Sequence, residues 1–245
     1  MTPNPLAVVV WKWKPAPGAD PDRIYTHEHV VNLHAALVRY LPQPWRLHVF
    51  TDSITADARL AYLTGTYLYS IPDPTGFKHV RRLQIFNPEV YGSLRMAPTH
   101  LLQLDLDIVV LGDLAPLVAD NPHALTYHGN NIAVMYWRIG QPAGFWDWYS
   151  VNPADRLAQA QAWCGNPKLS DQAVINFYLR SHKISWRSFP PGLLARFPYR
   201  EGAVAWTPPE GACLVHMYGK RTNPGNPEVQ RANPWILEHW KSEGL

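Results

Sequence analysis

Residues 101–111 read Leu-Leu-Gln-Leu-Asp-Leu-Asp-Ile-Val-Val-Leu, an apolar run that carries two aspartates, Asp105 and Asp107, two positions apart. Such a run reads as a β-strand buried on both faces, the kind found in a parallel sheet covered by helices. Side chains at i and i+2 of a strand point the same way, so both carboxylates are predicted to face one spot where the buried strand ends. Like charges held together in apolar surroundings are costly, because each loses hydration and repels the other. A divalent cation between them relieves both penalties. The competing reading is an edge strand with one wet face; the unbroken flanks, Leu101-Leu102 and Ile108 to Leu111, favour the buried strand and its metal.

Outward from this stretch the chain alternates strands and helices. Residues 7–13 predict a first strand, rich in β-branched and aromatic side chains, followed by a loop through Pro15, Pro17, Gly18 and Pro21. Thr26 is positioned to cap a helix running to about Tyr40, with Val30, Leu33, Leu37 and Leu41 at helical spacing and Pro42 ending it. Residues 45–51 make a second strand, and strand, helix, strand in this order predicts a right-handed parallel unit. Residues 77–86 predict a helix with Val80, Leu83 and Phe86 on one face and Lys78, Arg81 and Arg82 elsewhere on its circumference. Beyond the aspartates, residues 132–139 read as a strand, 144–149 as a Trp-rich helix, 212–217 as a late strand and 234–240 as a final helix with Pro in its first turn. Ser170 has the place of a cap for a helix through Arg180. This alternation predicts an α/β sandwich with a mostly parallel sheet, in which ligands bind beyond the carboxyl ends of the strands. Residues 11–13, residues 51–53 and the aspartate pair then converge on one crevice.

Composition bounds the rest. A chain of 245 residues with 47% hydrophobic content builds one substantial core, so a single domain over 1–245 is expected. A net charge of +3 argues against the strong general footprint of a nucleic-acid-coating protein, although Lys78, His79, Arg81 and Arg82 form one local basic cluster and Lys220 with Arg221 another. Cys164 and Cys213 match no metal or redox spacing and are expected as reduced thiols. Met1 to Pro5 carry no basic segment and the apolar run 6–11 is too short for a leader or a membrane span, which predicts a cytoplasmic protein without a membrane anchor. His27-Glu28-His29 with His34 misses the zinc-binding HExxH spacing because position 31 is Val, so a solvated helix face is expected there.

Taken in order, the motifs resemble those of the GT-A nucleotide-sugar glycosyltransferases, most closely the glycosyltransferase family 8 type, from the first strand to about Pro224. Asp105-Leu106-Asp107 looks like that family's DxD metal motif. Residues 129–138, Gly-Asn-Asn-Ile-Ala-Val-Met-Tyr-Trp-Arg, are similar to its acceptor-side strand, where members carry Asn-Ser-Gly-Val-Met; here Ile132 and Ala133 stand where the central glycine falls. Ser170-Asp171-Gln172 through Asn176 is similar to its Asp-Gln segment, and Val215-His216-Met217-Tyr218-Gly219-Lys220 to its His-x-x-Gly motif, without the Lys-Pro-Trp that usually follows.

The resemblance implies a GT-A (Rossmann-like) three-layer sandwich with a mostly parallel central sheet, its nucleotide-binding half at about 1–112 and its acceptor-side half at about 113–245. It also implies His216 as third ligand beside Asp105 and Asp107, with Mn²⁺ (or Mg²⁺) as cofactor and a UDP-sugar as donor. Asp171 is implied on the sugar hydroxyls and Gln172 near the reacting face, with retention of configuration. Arg82 or Arg81, and Gly219 with Lys220, are candidates for the diphosphate. At the first strand end, Trp11, Lys12 and Trp13 are placed for the nucleotide, either tryptophan stacking on uracil or both lying in the core, and Asp52 is placed for the base edge. The acceptor stays open. Small anchor-free proteins of this kind resemble transferases of bacteriophages and their hosts, some of which glycosylate hydroxymethylated bases in DNA, so modified DNA is one alternative acceptor, reached in the host cytoplasm. A non-catalytic nucleotide-sugar binding module is the alternative of another class.

Overall fold

The computed structural model describes residues 5–13, 25–71, 78–119, 126–128, 131–165, 170–185, 187–198, 205–217 and 222–241, with side chains except at 78–80, 126–128 and 131. β1 (Leu6–Lys12) sends Leu6, Val8 and Val10 into one core and Ala7, Val9 and Trp11 into another, which is why it shows no polar alternation. α1 (His27–Tyr40) starts at Thr26, whose hydroxyl accepts the Glu28 N–H while the Thr26 N–H donates to the His29 ring. β2 (Trp45–Thr51) pairs with β1 in parallel, from Leu6 opposite Trp45 to Lys12 opposite Thr51. α2 (Ile54–Asp57) and a 3-10 turn lead to β3 (Thr66–Ser70), which the sequence reading omitted. A 3-10 segment, Lys78–Phe86, and α3 (Pro88–Gly92) precede β4 (His100–Leu104), parallel to β1 on its other side.

The remaining elements are β5 (Ile108–Val110), α4 (Ala115–Val118), β6 (Thr126–His128), β7 (Asn131–Arg138), α5 (Phe145–Val151), α6 (Pro153–Cys164), α7 (Asp171–Ser181), β8 (Arg187–Ser188), β9 (Leu194–Arg196), β10 (Leu214–His216), α8 (Pro227–Ala232) and α9 (Trp235–His239). The main sheet has the order β3-β2-β1-β4-β7-β6-β8, with only β7 antiparallel to its neighbours; a second sheet runs β5-β10-β9. Three layers result. α1, α4 and the second sheet cover one face of the main sheet, and the 3-10 segment with α5, α6 and α7 covers the other. The far side of the second sheet packs on α8 and α9 through Val109, Val215, Val229 and Ile236.

Two expectations change. The apolar run 101–111 is not one strand: it breaks after Leu104, turns through Leu106 and Asp107, and resumes as β5 in the other sheet. Both halves are buried in their own sheets, so the sequence shows no break. Residues 78–86 wind as a 3-10 helix rather than an α-helix. Three residues per turn align positions i and i+3, and Arg81 and Gln84 are buried along with Leu83, Ile85 and Phe86, so the segment has no solvated basic face at Arg81. Among the described residues, no helix is long and apolar enough to cross a membrane.

Candidate metal centre

The turn between the two sheets is what gathers the candidate ligands. Asp105 leaves β4 with its N–H donated to Ala133 O at 2.9 Å, and Ile108 N–H closes the turn onto Asp105 O at 3.3 Å. β5 then pairs antiparallel with β10, which sets His216 opposite Ile108, and Met217 N–H binds Asp107 O at 2.9 Å. Ligand atoms of Asp105, Asp107 and His216 thereby all lie within 4.8 Å of one another, with His216 Nε2 3.5 Å from Asp107 Oδ1. The aspartates converge because a turn folds them together, not because strand periodicity aligns them.

Their surroundings are crowded with negative charge. Tyr25 donates its hydroxyl to Asp107 Oδ2 at 3.1 Å. Asp107 Oδ1 is buried and has no hydrogen-bond partner among the described residues. Arg82 donates Nη1–H to Asp105 and Nε–H to Asp171, bridging the two acids. Asp171 is held in the first turn of α7, where Ser170 caps the helix by accepting the Ala173 N–H at 3.1 Å and Asp171 Oδ1 accepts the Gln172 N–H at 2.8 Å. Two carboxylates therefore share one guanidinium, while Asp107 turns to Tyr25 and His216. Burial pushes the Asp105 carboxyl up to about 6, Arg82 opposing and Asp107 reinforcing. Burial disfavours the charged form of His216, yet the contact with Asp107 and the charges of Asp107 and Asp105 outweigh it and raise the ring above its ordinary value. Burial and the same two acids raise Tyr25 well above a free phenol, so it stays a donor. Two carboxylates, an imidazole and a buried carboxylate oxygen with no hydrogen-bond partner among the described residues fit a divalent cation with octahedral, mainly oxygen coordination.

The other predicted residues are placed as follows. Trp11 is 5% exposed, its ring stacked on Phe50 at 4.5 Å and its N–H donated to Gln103 Oε1 at 3.2 Å, so it is a core residue with one face and its donor already engaged. Trp13 is half-buried beside that cluster. Lys12 turns to Asp57, Nζ to Oδ1 at 2.7 Å, and Thr51 donates its hydroxyl to Asp57 Oδ2 at 2.6 Å. Asp52 is paired with Arg81 at 3.1 Å. Gln172 is half-buried next to Asp171. Gly219 and Lys220, like Gly129, Asn130 and Arg221, lie outside the described residues. The basic cluster at 78–82 is not a solvated patch at Arg81 and Arg82, which both turn into acid pairs. Nor is the histidine group a solvated face. His29 and His34 are buried, His29 bonding Asn223 Oδ1 at 2.8 Å and His34 the Thr64 carbonyl at 3.0 Å. Cys164 and Cys213 are not joined in a disulfide. Tyr25 and Asp57 escaped the sequence reading; Tyr25 reaches an acid 82 positions away, and no local pattern announces it.

No protein-family model and no curated protein matches the chain. Solved structures do. The galactosyltransferase LgtC in complex with donor and acceptor sugar analogs superposes with a TM-score of 0.60 at 11% identity, over 98% of this chain and 96% of that one. An active-site mutant of LgtC gives 0.58 at 11% identity, over 95% of each chain. At this identity the likeness is one of fold: the α/β sandwich with its mostly parallel sheet is the GT-A, Rossmann-like fold.

Proposed function

We propose that this protein is a divalent-metal-dependent glycosyltransferase of the family 8 type, moving a sugar from a UDP-sugar to a hydroxyl acceptor with retention of configuration. The observation that carries this reading is the meeting of Asp105, Asp107 and His216 within 4.8 Å at the carboxyl end of a parallel strand in a GT-A fold. These three residues hold the cation, Mn²⁺ or Mg²⁺. When bound, it supplies positive charge that stabilises the departing diphosphate in place of a proton. Arg82 keeps Asp105 and Asp171 in fixed relation, and its remaining N–H groups add charge-assisted bonds to the diphosphate. Lys220, with Gly219 permitting close backbone approach, is assigned to the same group. Asp171 orients the sugar hydroxyls and Gln172 lies at the reacting face. Of the two tryptophans at the β1 end, Trp13 is the one assigned to uracil, since Trp11 is engaged with Phe50; Asp52 addresses the base edge, whereas Lys12 is taken up by Asp57 and has no part in holding the nucleotide. The nucleotide half is about 1–112 and the acceptor half about 113–245.

Local basic clusters permit a DNA acceptor, and in one of them Arg81 and Arg82 are already paired with acids. The test is a donor screen with Mn²⁺ in which UDP release is followed against added hydroxyl acceptors, and the product anomer is read by proton NMR. Metal-dependent release that Asp107→Asn abolishes supports the reading. Tight UDP-sugar binding without release across all donors would instead identify a binding module and reject it.

A further inference from the structure

Asp107 presents its two carboxylate oxygens to different surroundings. Oδ2 accepts the Tyr25 hydroxyl at 3.1 Å, whereas Oδ1 faces His216 Nε2 and has no hydrogen-bond partner among the described residues. The backbone on this side is already fixed by the Met217 N–H on the Asp107 carbonyl, so the open variable is rotation of the carboxylate, and the phenol is the contact that settles it. Tyr25 is itself braced. Its ring stands edge-on to His29 at 5.3 Å and 83°. His29 accepts the Thr26 N–H on Nδ1 at 3.1 Å, which leaves the proton on Nε2 to be donated to Asn223 Oδ1 at 2.8 Å. Asn223 Oδ1 also accepts the Gly225 N–H at 2.8 Å, and a side chain at Gly225 would meet Asn223 and His29 at 3.2–3.3 Å, so the brace is closely packed.

We propose that Tyr25 is a positioning residue that holds Asp107 to a single ligand oxygen, and so sets the centre for a small octahedral ion and against Ca²⁺. This rests on the metal-dependent reading above. The physical ground is coordination number. Ca²⁺ takes 6–8 oxygens and readily accepts bidentate carboxylates, whereas Mg²⁺ demands near-ideal six-fold geometry, and Mn²⁺ shares that octahedral preference. A hydrogen bond to Oδ2 takes one of that oxygen's lone pairs and fixes the carboxylate's rotation so that Oδ1 is the oxygen turned to His216 and the cation, and partners behind a ligand of this kind change metal affinity by about 10- to 100-fold.

The test uses the full chain and the metals alone. Mn²⁺ affinity is measured from the EPR signal of the free ion, and Ca²⁺ affinity by competition, for the wild type, Tyr25→Phe, Asp107→Asn and the double variant. Tyr25→Phe keeps the ring against His29; it is expected to weaken Mn²⁺ by about 10- to 100-fold, to weaken Ca²⁺ less, and to have no further effect once Asp107 is Asn. Tyr25→Met, which lacks the donor, repeats the measurement should the Phe variant fold poorly. Wild-type Mn²⁺ affinity in Tyr25→Phe, an equal loss for both ions, or the same loss in the Asp107→Asn background overturns this inference and leaves the metal centre standing. A wild type that binds no Mn²⁺, or that binds it undiminished in Asp107→Asn, removes the proposed function and this inference with it.

Discussion

Two clusters of buried charge sit at the carboxyl ends of the same parallel strands, and they are built differently. At the β1 and β2 ends, Lys12 and Asp57 pair one to one with side chains 11% and 3% exposed, and Thr51 fills the other carboxylate oxygen. At the β4 end, Asp105 and Asp171 share Arg82, Asp107 Oδ1 has only the 3.5 Å approach of His216 and no hydrogen-bond partner among the described residues, and the Asp105 and Asp107 side chains are 25% and 14% exposed. A closed pair of this kind is a part of the fold, since it offers nothing further to a ligand. An open one carries a standing electrostatic cost, and burial that leaves such a cost uncorrected marks a place where something binds. The difference between scaffold and site here lies in how completely the acids are satisfied as well as in how deeply they are buried.

The contrast breaks if the two clusters respond alike to losing an acid. Asp107→Asn is expected to lower metal-dependent turnover on the order of 10³-fold, the scale at which removal of transition-state charge stabilisation is felt. Its metal-free stability should change little at pH 8, where the His216 ring gives up its proton and one of the clustered acids has gone; UDP release and a urea melt in EDTA measure the two sides. Asp57→Ala is the converse case. It strands the Lys12 ammonium and the Thr51 hydroxyl, and a broken buried pair costs about 3–5 kcal/mol, read as a fall in the urea midpoint. Activity should then fall only as far as the folded fraction does.

The sequence carried the fold in its apolar runs. Leu101-Leu102 and Ile108 to Val110 announce buried strands correctly, yet periodicity cannot distinguish one strand from two that lie in different sheets, since burial makes both look alike. The aspartates were legible as a pair because any geometry that buries them close together needs a cation; the particular geometry, a turn, was not. Thr26 and Ser170 were legible as caps because capping is local. Asp57 and Tyr25 were not, because each acts on a partner brought near only by the finished fold. Arg81 and Arg82 looked solvated because a run of basic residues usually is, and only the acids facing them turn them inward.

The smallest expected effect is also the most selective, because pH acts on the open cluster through its protonation. In the metal-free protein the folded Asp105 carboxyl titrates at about 6, above its ordinary 3.8, so the folded state holds that proton more tightly than the unfolded chain does. The group costs nothing where both states are protonated, below about pH 4, and its full destabilising effect is present above about pH 6. His216 is also raised, so its contribution is present below its ordinary value of 6.5 and is lost as pH climbs through the folded value. Both groups therefore make metal-free stability fall as pH rises from 5 toward 8, the Asp105 part of it on the order of 1 kcal/mol between pH 5 and 6 given about 1.4 kcal/mol for each proton and pH unit. Subtracting the profile of Asp107→Asn cancels titrations elsewhere, and the decline should shrink in that variant, because one of the charges raising both groups has been removed. Saturating Mn²⁺ should reverse the trend in the wild type alone, since its ligands must be an ionised carboxylate and a neutral imidazole, and binding grows stronger as those protons leave. Urea midpoints in EDTA and in Mn²⁺ at pH 5, 6, 7 and 8 decide it. A wild-type curve in EDTA that runs parallel to that of the variant from pH 5 to 8 would mean that the acids at the β4 end are as well satisfied as Asp57, and the distinction between the two clusters would be lost.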